Sequence, residues 1–199
     1  FGLCLPNTFS ASKPARHAEV LLAHMVRYSA VLQGHFSGTI GWDALNVFFA
    51  PYLATLSDRD IEQIAQMLVF EFSQLAVSRG GQAIFTEIGI CWEIPRHLRD
   101  VPAIGPGGVF TGKTYGDYEK DSQRFARALF EIYRDGDAMG SPFFFPKPLL
   151  RITDDFFETP GHEEFLLHVC DAAAEKGNPH FLFDRNGTQK ILRCCLLDF

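Results

Sequence analysis

From residue 83 onward, apolar runs of strand length alternate with amphipathic stretches of helix length, and that alternation limits the possible folds more than any single motif. Residues 83–92 are rich in β-branched and aromatic side chains, are closed by Pro95, and read as a strand. Residues 115–135 set Phe125, Ala128, Leu129 and Ile132 on one helical face and stop at Gly136. Residues 141–152 read as a second buried strand, where Pro146 and Pro148 point to an edge, a bulge or a strand end. Residues 161–176 form a long helix with Gly177 at its C-cap. Residues 180–184 and 191–197 are short strands separated by an Asn186-Gly187 turn. Strands joined by helices of this length require crossovers, which implies an α/β fold with a largely parallel sheet.

The chain before this alternation is helical in pattern. Residues 1–13 are an irregular lead-in broken by Pro6, Asn7 and Ser10. Pro14 sits where a helix can open, because its missing N–H costs nothing there. Val20, Leu21, Met25, Tyr28, Val31 and Leu32 then recur at helical spacing to Gln33. After Gly34-His-Phe-Ser-Gly38, residues 42–53 resume a helical apolar run with a kink expected at Pro51. Ser57-Asp-Arg-Asp-Ile-Glu62 is an N-cap with an acidic first turn, and its helix runs to about residue 78. Residues 102–112 hold four glycines and two prolines and read as a loop. No internal repeat is evident.

Composition narrows the function classes. A net charge of −6 lacks the basic stripe that a nucleic-acid surface needs, so no nucleic-acid partner is expected. No apolar run approaches the roughly 20 residues of a spanning helix, so no membrane partner is expected either. Twenty phenylalanines against five tyrosines and two tryptophans suggest a large core, or one completed by further chain. The five cysteines form no C-x-x-C pattern and are odd in number, which favours a reduced, intracellular setting. The chain begins at Phe1 rather than Met, so it reads as the interior of a longer protein.

The candidate chemistry is sparse. Seven histidines show no H-E-x-x-H or three-ligand spacing, so no metal site is expected in this chain. Gly112-Lys113-Thr114 lacks the upstream glycine of a phosphate loop, and no Gly-x-Ser-x-Gly elbow exists. Arg79-Gly-Gly-Gln82 places an arginine and an amide beside Gly81 at a helix-to-strand junction, either as a C-cap and turn or as a close ligand contact. Cys194 and Cys195 sit adjacent on an apolar run. Neighbouring cysteines rarely pair with each other, which leaves metal ligand, redox thiol, buried hydrophobe or reactive sulfur.

Several segments together resemble the anaerobic, class III ribonucleoside-triphosphate reductases, which are oxygen-sensitive glycyl-radical enzymes. They are Arg79-Gly-Gly-Gln-Ala-Ile-Phe-Thr86, Glu131-Ile-Tyr-Arg-Asp-Gly-Asp-Ala-Met-Gly140, Pro142-Phe-Phe-Phe-Pro-Lys-Pro148, Glu175-Lys-Gly-Asn178 and Cys194-Cys195, in the family's order. Gln33-Gly-His-Phe-Ser-Gly38 adds to the likeness, which covers nearly the whole chain. The resemblance implies part of a ten-stranded α/β barrel of two parallel five-stranded halves with preceding helices. It divides the chain into a helical part at about 14–78 and a strand–helix barrel part at about 79–199.

In the family, a glycyl radical near the C-terminus converts a finger-loop cysteine to a thiyl radical. The thiyl takes hydrogen from the ribose 3′ carbon, water leaves the 2′ position, and a reductant restores the sugar. The family's Cys-Cys-Arg-Leu pattern maps the radical to Cys195, with Cys194 in reserve, and Arg79, Gly81 and Gln82 become candidate substrate-pocket residues. Leu196 stands where the pattern has arginine, and Arg193 precedes the pair. The glycyl-radical segment, its four-cysteine zinc site, an ATP-cone and an earlier cysteine-bearing strand have no counterpart here, and Cys4 does not match that cysteine.

The expectation is therefore a fragment of a catalytic subunit, inactive alone and cytoplasmic. It would take ribonucleoside triphosphate substrates and nucleotide effectors, be activated by an iron–sulfur radical-SAM protein, and form a homodimer through the helices at 14–33 and 57–78. The rival readings are a glycyl-radical lyase without nucleotide binding, and a non-catalytic remnant in which the cysteine pair is core.

Overall fold

A computed structural model describes residues 12–36, 38–74 and 84–184. Helix α1 spans Ala18–Gln33. It starts later than Pro14 because the preceding segment is tied elsewhere: the Gly107 N–H donates to the Ala15 carbonyl at 2.7 Å. Pro14 also lies against Gly108, whose φ is +72° and where an added Cβ would come within 2.8 Å of the proline ring. A three-residue strand, β1 (Ile40–Trp42), precedes helix α2 (Leu45–Leu53). The pattern had merged Trp42 into the helix, since a strand this short shows no alternation. Pro51 lies inside α2, as expected.

Helix α3 (Asp58–Gln74) opens as its sequence indicates: Ser57 Oγ faces the Asp60 N–H, and the Asp60 carboxylate accepts from the Ser57 N–H, both at 3.3 Å. Ile61, Ile64, Ala65, Leu68 and Phe72 form its buried stripe. Strand β2 (Thr86–Cys91) is buried along its whole length, as a central parallel strand should be. A single helical turn, α4 (Arg96–Arg99), leads into β3 (Pro102–Ile104) and β4 (Phe110–Thr114), which pair antiparallel. The Gly/Pro-rich stretch is thus mostly a hairpin, with three of its four glycines in the turn at 105–108 and Gly112 on β4.

A Thr114–Asp117 capping box starts a 3₁₀ turn (Tyr115–Tyr118) that runs into α5 (Glu119–Asp135). Strand β5 (Lys147–Ile152), helix α6 (His162–Lys176), left-handed Gly177 and strand β6 (His180–Phe183) follow in the expected order. Prolines 146 and 148 fall before and at the start of β5, where a missing N–H is tolerated.

The main sheet is parallel throughout, in the order β1-β2-β5-β6. Its strands follow chain order in one direction, and right-handed crossovers wound that way leave their helices on a single face. Ile88, Ile90, Leu150 and Ile152 turn toward those helices and join Phe125, Leu129, Phe130 and Phe165 in the main core. Side chains alternate, so Glu87, Gly89, Cys91, Lys147, Leu149, Arg151, His180 and Leu182 share the opposite face. Among the described residues the sheet is open and four-stranded, not a closed barrel.

Asn46, fully buried on α2, locks the helix layer to the sheet. Its amide donates to the Cys91 carbonyl at 2.6 Å and the Ser122 hydroxyl at 2.7 Å, and its carbonyl accepts from the Cys91 N–H at 3.1 Å. Replacing Asn46 with Ala strands these groups without water. The expected cost is about 3 kcal/mol, read as a lower urea midpoint at unchanged m-value; a loss within error of zero would show that the site reorganises.

Candidate active site at the carboxyl ends of the strands

In open parallel sheets, ligand chemistry gathers at the carboxyl ends of the strands. Here that end carries buried charge on the face away from α5 and α6, and the start of α2 closes over it at Cys91. Arg151, near the end of β5, is 2% exposed. Its guanidinium grips Asp43, just past β1, in a bidentate pair with both nitrogen–oxygen distances at 2.9 Å. The remaining terminal nitrogen donates to Asp184, just past β6. Burial opposes the arginine's charge, yet the bonds from Asp43 and the field of Asp184 outweigh it and its pKa rises above the ordinary value.

Asp43 does a second job. Its Oδ1 accepts from the Ala44 N–H at 2.9 Å, and Ala44 caps α2 with φ at +47°. A left-handed alanine is strained, and such strain persists only where the surroundings over-determine it. The ion pair and the entry into α2 are therefore one unit.

Cys91 is the register partner of Arg151 and is fully buried against Ala44, Val47 and Ala50. Burial pushes its thiol well above the ordinary range, and Glu93 and Asp43 push it further, against a smaller opposing effect of Arg151. It stays protonated. Such a sulfur is a poor nucleophile and a poor metal ligand, but it keeps its hydrogen atom. Glu93 is 1% exposed; one oxygen accepts from Thr153 and the other, Oε2, has no partner. Burial drives its pKa up, the Thr153 bond opposes this, and Asp155 and Glu119 add to the rise.

Arg79, Gly81, Gln82, Cys194 and Cys195 all lie outside the described residues. One local feature marks this cluster: Arg151 interrupts the run Leu149-Leu150-Arg151-Ile152, and a charge inside a buried strand demands partners. Among the described residues no group of three or more histidine, cysteine or acidic side chains could hold a metal ion, and no helix is long and apolar enough to cross a membrane.

Arg151→Met removes the one cation between two carboxylates and should cost about 3–5 kcal/mol in urea unfolding; a loss below about 1 kcal/mol would mean that water reaches the cluster. Glu93 gives a signed pH effect. Its folded pKa lies above the ordinary 4.5, so the native state holds the proton more tightly than the unfolded chain. That contribution is complete below 4.5 and is lost as pH rises through the folded value. Glu93→Gln cannot ionise, so its urea midpoint should fall less between pH 4.5 and neutrality than that of the wild type; identical slopes would exclude Glu93 as a source.

The family model for anaerobic ribonucleoside-triphosphate reductase matches residues 1–199. The fold superposes on the Thermotoga maritima anaerobic ribonucleotide reductase in complex with dATP and CTP, with a TM-score of 0.68 and 16% identity over 92% of this chain and 31% of that one. The same enzyme with dATP in its specificity site gives 0.68 and 18% over 90% and 31%, and with citrate in its active site 0.66 and 17% over 90% and 33%. No curated protein matches the chain. At these identities the superpositions establish the fold, and this chain spans about a third of each of those enzymes. With the family model covering its full length, the chain belongs to the anaerobic ribonucleoside-triphosphate reductase family.

Proposed function

We propose that this chain supplies part of the catalytic barrel of a subunit that reduces ribonucleoside triphosphates to deoxyribonucleoside triphosphates without oxygen. The family match across residues 1–199 carries the proposal. The parallel sheet, wound in one direction with helices on one face and buried polar groups on the other, is consistent with a barrel wall.

In this proposal Cys195 is the thiyl site and Cys194 its reserve. The glycyl radical, held on another part of the enzyme, supplies the oxidising equivalent. As a thiyl, Cys195 takes the ribose 3′ hydrogen atom, and the 2′ hydroxyl gains a proton and departs as water. A reductant delivers two electrons and a proton to the sugar, and Cys195 returns the hydrogen atom to the 3′ carbon. Hydrogen-atom transfer depends on near contact and exclusion of water more than on a lowered thiol pKa, and the apolar run around Cys195 suits that. Arg79, Gly81 and Gln82 contact the substrate through side chains and closely approaching backbone. The Arg151 cluster braces the strand ends; with two carboxylates on it, Arg151 has little left to offer a phosphate.

The same proposal includes a zinc site outside this chain, activation by a radical-SAM protein, a cytoplasmic homodimer, and effector nucleotides near the helices at 14–33 and 57–78. The dATP and CTP in the Thermotoga maritima structures support nucleotides as substrate and effector.

In the complete, activated enzyme Cys195→Ser should lower deoxynucleotide formation about a thousandfold or more, on the order of 4 kcal/mol in barrier. Nucleotide-dependent thermal stabilisation should persist in that variant. Unchanged turnover would sink the thiyl assignment, and no thermal shift with any ribonucleoside triphosphate would count against a reductase.

A further inference from the structure

Helix α1, helix α2 and the β3–β4 hairpin leave a cavity of about 210 Å³ between them. Leu21 and Met25 come from α1, Leu45, Phe49 and Tyr52 from α2, and Ile104 from the hairpin. Leu21 and Met25 are four residues apart on their helix, and Leu45, Phe49 and Tyr52 follow at four and three on theirs, so each helix turns one stripe toward the space. Trp42, at the end of β1, closes a further side, its indole N–H donating to Ser29 Oγ at 2.9 Å.

Met25, Leu45 and Phe49 are buried, so the walls are core side chains rather than a surface patch. An apolar cavity of about 150 Å³ with walls of this kind takes up benzene, and 210 Å³ has room for a ring with one substituent. Tyr52 is 8% exposed, and its hydroxyl makes no hydrogen bond among the described residues. A tyrosine buried to this degree ordinarily finds a partner. Unlike the bare oxygens of Glu87 and Glu93, the Tyr52 oxygen keeps accessible surface, so a molecule in the cavity can reach it. Burial, with Tyr115 adding to it, pushes the hydroxyl's pKa up, and it stays a neutral donor and acceptor.

No lysine, arginine or histidine lines the cavity. Its one carboxylate, Asp43, is already bonded to Arg151 and to the Ala44 N–H. A charged ligand would lose its water here without gaining a counter-ion. We propose that this cavity binds a small neutral aromatic molecule carrying one hydroxyl group, the chemistry of a simple phenol. The ring fills the space between Met25, Leu45 and Phe49, and its hydroxyl bonds to that of Tyr52.

Phenol and toluene, titrated into the nitrogen-15-labelled full chain and followed by two-dimensional NMR, supply the test. The chain has two tryptophans, whose indole N–H signals report separately. Trp42 lines the cavity, whereas Trp92 donates to the Pro160 carbonyl and stacks on Phe165. Phenol should shift the Trp42 signal saturably, in the millimolar range or tighter, and leave that of Trp92 in place. In Tyr52→Phe the ratio of phenol to toluene affinity should fall about fivefold, the effect of one neutral hydrogen bond. That variant removes a hydroxyl with no partner among the described residues, so it keeps the fold. Leu21→Trp, at a half-buried position, fills the space and should abolish binding of both probes. Benzoate, similar in size but charged, should bind about tenfold more weakly than phenol or worse. No saturable Trp42 shift with phenol, an unchanged ratio in Tyr52→Phe, binding that survives Leu21→Trp, or benzoate binding as well as phenol would overturn the proposal.

Discussion

The Arg151 ion triad is the constraint on which the rest of the sheet depends. An arginine that is 2% exposed can be held charged only if its donors are matched, and no neighbour on its own strand can do that. Both carboxylates come from strand ends: Asp43 follows β1, and Asp184 follows β6. The triad therefore reaches from one edge of the four-stranded sheet to the other. To reach Asp43 the guanidinium must cross β2, where its register partner is Cys91. A larger residue there would stand in its path. The small, protonated sulfur is explained by that crossing before any chemistry is assigned to it.

The triad also fixes the helix layer. Asp43 holds the Ala44 N–H in a left-handed conformation, and α2 departs from that point. At the second residue of the helix, Asn46 bonds the Cys91 backbone in both directions and reaches Ser122 on α5. Sheet edge, helix start and neighbouring helix are thus connected through bonds made by three polar side chains in a mostly apolar interior. Networks of this kind are costly when incomplete and rigid when satisfied. Here every donor of the Asn46 amide and the arginine's contacts to both aspartates are accounted for.

How much of this was legible in the sequence follows from the range of each interaction. Helices α3, α5 and α6 were readable because their caps and apolar stripes are local: Ser57 with Asp60, the Phe125–Leu129 face, and Gly177. The parallel sheet followed from the lengths of the connections. Strand β1 was not readable, since three residues hold no period and its stability comes from pairing with β2, whose Thr86 lies 46 residues beyond Ile40. The hairpin β3–β4 was masked by glycines whose turn role needed the partner strand to be seen. Most hidden was the triad, because Asp43 and Arg151 are separated by 108 residues and neither belongs to a motif. The residues that the resemblance did single out, Arg79, Gly81, Gln82, Cys194 and Cys195, lie outside the described residues, so the described site rests on other groups.

The two ends of this face of the sheet differ in how their charges are partnered. At the carboxyl ends, one arginine meets two aspartates and the nearby Glu93 is driven toward its neutral form, so the charges are largely spent on one another. Such a cluster holds strands in place and repels a further anion more than it attracts one. At the amino ends the arrangement differs: Lys147 is the register partner of a buried carboxyl, Glu87, neither of whose oxygens has a hydrogen-bond partner. Both rows belong to strands of the same sheet, four residues apart on β2 and on β5, and both are buried at the polar residue that matters most. Satisfied charge gives rigidity, and a buried carboxyl without a partner costs stability. The wall is thus braced at its carboxyl ends, by bonds that lie four residues along β2 and β5 from the uncompensated group at its amino ends.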